Sequence, residues 1–372
     1  MTAVQLHSLR QLLALSTQPE NSPLPADDAA WNSLLPLALA HGVAPLLFAN
    51  LRERVLPVEA RDQLRHVYLS NSFRNEKFLA EQQRILDAFS KKSLAVWPLK
   101  GPQLSQTLYG DAAVRQVADL DLLIRPEDIA ACDELLQSSG YTRRVQGDIA
   151  SLRDAGELLY LRSASDATGS TTFAVDLQQR VLPYGRRDPL ADRIRAQNLT
   201  PENLLLLLCV NQIAHRFARL KYLLDVAACL RALPANFDWN EFIASAQFLS
   251  FAPGIYWSLR WAREAAGAPV PEHVLEELRP SWFSRWLASR ALGAGPLSSL
   301  ARGAALDGPA GAWAILACSR AGLPRLALFW WLLFPSSATL RQEFFDAPGR
   351  SIAYLYLLRL ARKLPAALRR HS

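Results

Sequence analysis

The stretch LKGPQLSQTLYGDAAVRQVADLDLLI, residues 99–124, decides the fold of this chain. Asp119 and Asp121 stand two positions apart in a segment that otherwise has the pattern of a β-strand. Because side chains alternate between the two faces of a strand, both carboxylates are expected on one face. Two carboxylates on one face repel each other. Mg²⁺ or Mn²⁺, which prefer oxygen ligands, would stabilise the pair. On spacing alone, two solvated acids at a strand end are the commoner explanation.

A third carboxylate strengthens the metal hypothesis. Asp176 is isolated in the apolar run FAVDLQ, residues 173–178, where a buried lone acid would be costly. If this run is a strand beside the first, three carboxylates converge, as two-metal catalysis of phosphoryl transfer requires. The alternative is an edge strand with Asp176 facing water.

Two basic positions in the same stretch are candidates for phosphate contacts. Lys100 and Gly101 follow the run LAVWPL and precede a predicted helix, whose first N–H groups would suit a phosphate. Arg115 precedes Asp119 by four residues and is either a phosphate clamp or a surface arginine. Junctions of this kind are common, so neither position is specific by itself.

Around this stretch, the apolar periodicity predicts an α+β protein with a small mixed sheet embedded between two helical regions. The predicted division is an N-terminal helical region at 1–90, an α/β core at 91–188 and a C-terminal helical region at 189–372. A long helix is expected at 58–89, and a loop at 293–311. The expected strands are 94–99, 120–124, 141–145, 157–161 and 171–177, and the expected later helices are 201–217, 219–232, 239–248 and 251–266.

Composition excludes several classes of protein. With 50% hydrophobic and 20% charged residues in 372, the chain is globular rather than disordered or fibrous. The four cysteines lie far apart with no zinc-binding spacing, which favours a reducing, cytoplasmic setting. No transmembrane segment is expected, because the charge-free run 326–334 is far shorter than the ~20 residues that cross a bilayer.

The net charge of +7 is concentrated near the end of the chain. Residues 341–372 hold seven basic and two acidic residues, in a predicted amphipathic helix that would dock on the protein body, on RNA or on an anionic membrane surface. Docking on the protein body is the expectation. Six tryptophans fall at helical spacings and are expected to pack in the core or a groove: Trp257, Trp261, Trp282, Trp286, Trp330 and Trp331.

The ordered combination of LKG, YGDAAVRQVADLDLLI and a later isolated Asp resembles the bacterial uncharacterised nucleotidyltransferase family of the polymerase-β-type superfamily. The resemblance continues through LLLLLCVNQIAHRFARLKYLLDVAACLRAL and FDWNEFIASA to FPSSATLRQEF, and so covers most of the chain. It implies that Asp119 and Asp121 are metal ligands and that Asp176 is a third ligand or the general base. Lys100 and Gly101 stand where the superfamily binds phosphate.

The resemblance also implies roles for three residues in the helical region. His215, Lys221 and Asp225 would contact the base, phosphate or acceptor. The residues alone suggest instead ion pairs between helix positions four residues apart, and a histidine whose hydrogen bonds are made within the protein. Where this chain has Gln178 and Asn211, the relatives tend to have His.

The implied function is Mg²⁺-dependent transfer of a nucleotide from ATP or another NTP to an unknown acceptor hydroxyl or phosphate, with release of pyrophosphate. The acceptor would be a small molecule, a sugar or a peptide of a biosynthetic cluster. The alternatives are a toxin-like enzyme that modifies tRNA and a non-catalytic nucleotide-binding protein on the same fold.

Overall fold

The computed structural model describes residues 3–145, 149, 156–166, 169–183, 188–293, 295–302, 309–345 and 349–363. Four helices precede the sheet: α1 (Ala3–Thr17), α2 (Asp28–Ala40), α3 (Ala44–Leu51) and α4 (Val58–Lys91). The long helix predicted at 58–89 is therefore confirmed and runs two residues further.

Five strands form one mixed sheet in the order β1-β2-β5-β4-β3. The strands are β1 (Val96–Lys100), β2 (Leu120–Ile124), β3 (Thr142–Arg143), β4 (Glu157–Asp166) and β5 (Gly169–Gln178). β2 and β5 are parallel, and the other neighbours are antiparallel. β2 is buried along its whole length, as its central position requires. The predicted α+β class with a small mixed sheet between helical regions is confirmed.

Two short α-helices lie among the described residues of the sheet region. α5 (Pro102–Tyr109) connects β1 to β2 and begins directly after Gly101. α6 (Ile129–Ser138) follows a single 3₁₀ turn that starts at Pro126. Gly140 ends this helical segment at a positive φ of 88°, a conformation that glycine adopts without steric cost.

In the described part of the chain, twelve further helices follow the sheet. They are α7 (Pro189–Gln197), α8 (Pro201–Ala214), α9 (Leu220–Arg231), α10 (Trp239–Phe248), α11 (Ala252–Ala266), α12 (Glu272–Glu277), α13 (Trp282–Leu292), α14 (Pro296–Arg302), α15 (Pro309–Cys318), α16 (Leu323–Leu333), α17 (Ser337–Glu343) and α18 (Ile352–Lys363). The loop expected at 293–311 is wrong in part, since it contains α14 and the start of α15. Pro296 and Pro309 stand at the first helical position, where proline is favoured.

Of the three buried apolar clusters among the described residues, the two largest organise most of these elements. The larger joins the N-terminal helices to α8, α9, α11 and α15. The smaller lies between the sheet and helices α4 and α6, and it includes Phe78, Ile129, Leu122 and Val175. Because side chains alternate along a strand, the residues between these apolar positions face the opposite side of the sheet. The division of the chain at 90 and 188 stays a prediction.

The six predicted tryptophans differ in exposure, and Trp331 is partly buried at the cleft wall. Trp257 and Trp261 of α11 are buried, as expected. The expectation of core or groove packing is wrong for Trp282, Trp286 and Trp330, which expose 72%, 48% and 65% of their surface. Helical spacing identifies one face of a helix without showing whether that face points inward.

None of the helices in the described ranges is long and apolar enough to cross a membrane. The predicted basic C-terminal helix corresponds to α18, and residues 364–372, with two of its arginines, lie outside the described residues.

Candidate functional site

Strand register brings the predicted carboxylates together. In the parallel pair β2–β5, Asp121 lies directly beside Asp176, and across β1–β2 Lys100 lies beside Asp121. Asp119 lies two residues before Asp121, so its side chain is on the same face of the sheet. All four side chains therefore belong to the face of the sheet that α4 and α6 leave uncovered.

A fourth carboxylate, Glu157, joins them from the start of β4. Its strand partner is Gln178, two residues beyond Asp176 on the same face of β5. The surrounding protein displaces water and, together with Asp121, raises the pKa of Glu157 above its usual value. We did not identify Glu157 from the sequence, because an acid at the start of a strand is typical of an exposed strand end.

These side chains line one cleft of about 410 Å³. The cleft has the size of a small-molecule site. Asn211 and His215 of α8 form one wall, and Trp331 of α16 with Thr339 and Gln342 of α17 forms another. The site is thus enclosed by the sheet and by both near and distant parts of the C-terminal helical region.

Negative charge exceeds positive charge in the cleft. Among the described residues that line it, four are carboxylates and two, Lys100 and Arg180, are cations. Burial, with Glu157, Asp119 and Asp121 adding to it, raises the pKa of Asp176 to about 8. Burial and Asp121 likewise raise the pKa of Asp119. Oxygen-only donors with uncompensated charge fit a hard divalent cation such as Mg²⁺.

Polar contacts hold Asp121 and Lys100 in place. Lys100 Nζ lies 3.4 Å from Asp121 Oδ2 and donates a hydrogen bond to Asn211 Oδ1 at 3.0 Å. Gln178 Nε2 donates to Asp121 Oδ1 at 2.6 Å. Gln178 and Asn211 are therefore partners of the central ion pair.

Both oxygens of Asp121 are engaged, and within the described ranges no three acidic, His or Cys side chains are grouped as a ready set of metal ligands. Binding of a cation between the carboxylates would therefore exchange the contacts of Asp121 with Lys100 and Gln178. This exchange would free the Lys100 ammonium to turn toward a phosphate.

His215 ends α8 at the cleft and stacks on Tyr222, with ring centroids 4.2 Å apart and planes 10° from parallel. Its surroundings displace water, and Lys100 and Lys221 add positive charge, so the pKa of His215 falls to about 3. The imidazole is therefore neutral at pH 7. A neutral, stacked ring at the cleft wall is suited to hydrogen bonding rather than to charge.

The other predicted nucleotide contacts lie outside the cleft wall. Arg115 Nε donates to Asp225 Oδ2 at 3.0 Å, and Tyr109 donates its hydroxyl hydrogen bond to Asp225 Oδ1 at 2.9 Å. Both members of this ion pair are buried. Lys221 lies beside them next to a small neighbouring pocket, and burial and Arg115 lower its pKa to about 8.

Five of the nine predicted site residues thus meet in the cleft: Lys100, Asp119, Asp121, Asp176 and His215. Gly101, Arg115, Lys221 and Asp225 do not line it. Gly101 is buried at the junction of β1 and α5, where the side chains of Gln82 and Gln103 approach its backbone. Whether any of the four contacts a nucleotide stays a prediction.

Arg180, just after β5, is a further cleft residue that we did not single out from the sequence. Its guanidinium lies against Gly156, where a Cβ would come within 2.6 Å of Arg180 Nη2. Gly156 also has a φ of 87°, which side chains rarely adopt. The signal in the sequence, an arginine shortly after an isolated Asp, has no specificity of its own.

Comparison with known proteins identifies the family. The profile of the uncharacterised nucleotidyltransferase family matches residues 27–267, more than half of the chain. No curated protein and no solved structure matches significantly. The matched range contains the whole sheet and helices α2 to α11, while α12 to α18 lie beyond it. The chain therefore belongs to the uncharacterised nucleotidyltransferase family.

Proposed function

We propose that this protein catalyses the Mg²⁺-dependent transfer of a nucleoside monophosphate from an NTP to an acceptor hydroxyl or phosphate. Family membership supports nucleotidyl transfer in general. One observation supports both the proposed metal and the proposed position of the reaction. Asp119, Asp121 and Asp176 converge on one face of adjacent strands, in a cleft with excess negative charge.

In the proposed reaction an acceptor oxygen attacks the α-phosphorus and forms a new P–O bond. The bond from that phosphorus to the oxygen bridging to the β-phosphate breaks, and pyrophosphate leaves with the electron pair. The proton of an acceptor hydroxyl passes to a carboxylate; we propose Asp176 for this role, since Glu157, Asp119 and Asp121 are its neighbours. Bound Mg²⁺ would neutralise phosphate charge and polarise the reacting oxygens.

The cations of the cleft have complementary roles in this proposal. Lys100 and Arg180 would offset the charge of the triphosphate, since both line the cleft with the carboxylates. Neutral His215 would donate or accept one hydrogen bond to the nucleotide. Arg115 and Asp225 are engaged with each other, so we assign them to positioning the segment before β2 against α9.

The proposal is tested by nucleotide binding and turnover of the full chain. Calorimetry with Mg²⁺ and each of the four NTPs is expected to show binding that is lost in Asp119→Asn plus Asp121→Asn. The matched control is Asp62→Asn, which removes an exposed carboxylate of α4 and should bind normally. Absence of any metal-dependent NTP binding by the wild type would refute the proposal.

The acceptor class is found by incubating the protein with α-labelled NTP and cell extract. Label in a small molecule, sugar or peptide is the expected result. Label in tRNA, with binding that weakens steeply as salt rises, would identify the toxin-like alternative. Binding of NTP without pyrophosphate release in any extract would identify a non-catalytic nucleotide-binding protein.

A further inference from the structure

Helix α16 presents an apolar stripe to solvent. Leu323, Leu326 and Trp330 expose 81%, 64% and 65% of their surface, and Phe334 continues the stripe just beyond the helix at 46%. Their spacing of three and four residues places them along one face. The opposite face, with Leu328 and Leu332, packs into the protein. Within the described residues this helix is therefore anchored on one side and uncovered on the other.

Helix α13 adds a second exposed apolar face. Trp282, Phe283 and Trp286 form a row of rings, with centroids 5.9 Å and 5.8 Å apart along the row. They expose 72%, 47% and 48% of their surface. The Arg290 guanidinium lies over the Trp286 ring at 5.7 Å. Large exposed apolar patches mark protein or membrane interaction sites, and the arginine adds a cation to this one.

A hydrogen bond connects the two helices near their first turns. Arg325 of α16 donates from Nη2 to Ser284 Oγ of α13 at 3.1 Å. We call the combined exposed face of α13 and α16 the aromatic surface; it consists of Trp282, Phe283, Trp286, Leu323, Leu326 and Trp330. It belongs entirely to the region beyond the family match at 27–267, so the proposed reaction does not account for it.

The charge around the aromatic surface indicates its partner. Residues 279–334 contain six Arg, no Lys and a single acid, Asp307, which lies outside the described residues. The same segment holds five of the ten tryptophans of the chain. Tryptophan with arginine is the composition of a membrane interface, where rings sit at headgroup level and guanidinium groups bind lipid phosphates.

A second copy of the chain fits this surface less well. A two-fold dimer would place the same patch, with the net positive charge of its segment, against itself. An anionic lipid surface complements both the exposed rings and the positive charge. The positive charge of the segment thus favours an anionic membrane over a second copy of the chain as the partner of this surface.

We propose that the aromatic surface docks on an anionic phospholipid membrane, with the rings in the headgroup layer and the arginines on lipid phosphates. The contact is peripheral, since the eleven residues of α16 extend only about 16 Å, about half of the ~30 Å hydrocarbon core. It is also distinct from the predicted contact of the basic C-terminal helix, because the aromatic surface belongs to α13 and α16.

Docking would place the cleft near the lipid surface. Trp331 lines the cleft, whereas its neighbour Trp330 is exposed on the aromatic surface. Consecutive residues of a helix point about 100° apart. Helix α16 therefore contributes to both the aromatic surface and the cleft wall, although docking itself does not depend on nucleotide transfer.

The test is co-sedimentation of the full chain with vesicles. Equal parts of phosphatidylcholine and phosphatidylglycerol should bind the wild type, with a blue shift of tryptophan emission, and pure phosphatidylcholine should not. Trp282→Ser plus Trp330→Ser should weaken binding by at least about 10-fold. The matched control is Phe248→Ser, which removes a ring that is 72% exposed on α10, and should bind like the wild type.

Three results would overturn the proposal. They are no binding to the anionic vesicles, equal binding to neutral vesicles, and equal binding by the double variant. A concentration-dependent dimer that the double variant abolishes would assign the aromatic surface to a second copy instead. Thermal unfolding of each variant verifies folding, which substitutions at exposed positions should preserve.

Discussion

Glu81 and Asp176 are two carboxylates in opposite electrostatic situations. Glu81 of α4 is buried, with a salt bridge to Arg84 at 2.7 Å, another to Arg162 at 2.5 Å and a hydrogen bond from Tyr141 at 2.5 Å. Burial alone would raise its pKa, but these hydrogen bonds outweigh burial and lower it.

Asp176 is half-buried, and burial together with the neighbouring carboxylates raises its pKa to about 8. Its neighbours are three more carboxylates, and Lys100 compensates only part of their charge. A carboxylate whose charge is compensated by its partners, even a buried one, therefore belongs to the structure. An uncompensated cluster of carboxylates in a cleft indicates a function that supplies the missing positive charge.

The largest effect should come from Asp121→Asn. Loss of a central carboxylate should reduce nucleotidyl transfer by at least about 10³-fold, because the proposed cation stabilises charge that develops on the phosphates. The unfolding free energy should change by less than about 1 kcal/mol, because the removal of repulsion with Asp176 offsets the loss of the contacts with Lys100 and Gln178. Pyrophosphate release and urea unfolding measure the two quantities, and normal turnover would contradict the proposed role.

The reverse result is expected for Glu81→Gln. Neutralising Glu81 leaves Arg162 and Arg84 without their partner, and should lower the unfolding free energy by about 2 kcal/mol. Mg²⁺ and NTP binding should not change, because Glu81 lies on the far side of the sheet. Urea unfolding is the measurement. Glu76→Gln, at an exposed position of the same helix, is the control and should unfold like the wild type.

The sequence predicted the part of this comparison that depends on local pattern. β2 was expected at 120–124 and is observed there, and the period of two placed Asp119 and Asp121 together. Two cleft residues, Glu157 and Arg180, were not predicted. Glu157 lies in the cleft because of the register of β4 with β5, and Arg180 because of the path of the chain after β5. No local pattern encodes that register.

Pairing between distant residues limited the prediction in the helical region. The i, i+4 spacing suggested that Asp225 pairs with Lys221, but Asp225 accepts from Arg115 and Tyr109, more than a hundred residues earlier. Likewise, apolar periodicity located the faces of α13 and α16 without showing that they are exposed. Both properties depend on tertiary packing, which sequence spacing does not determine.

A smaller effect should follow from Asp176→Asn. An acid whose pKa is raised in the folded state costs stability at pH values above its usual pKa, and the cost grows until about pH 8. In EDTA the variant should therefore melt about 1–3 °C above the wild type near pH 8.5 and show less difference near pH 5. Mg²⁺ should raise the melting temperature of the wild type more than that of the variant.

The smallest effect concerns the cation beside the cleft. Burial and Arg115 lower the pKa of Lys221 from its ordinary 10.5 to about 8. Its charge therefore costs stability in full below about pH 8, and this cost disappears as pH rises toward 10.5. Lys221→Met should raise the melting temperature by about 1–2 °C near pH 7 and by less near pH 10. The control is Lys92→Met, at an exposed position, which should change neither melting temperature. An equal gain by both variants would show that the charge of Lys221 does not destabilise the fold.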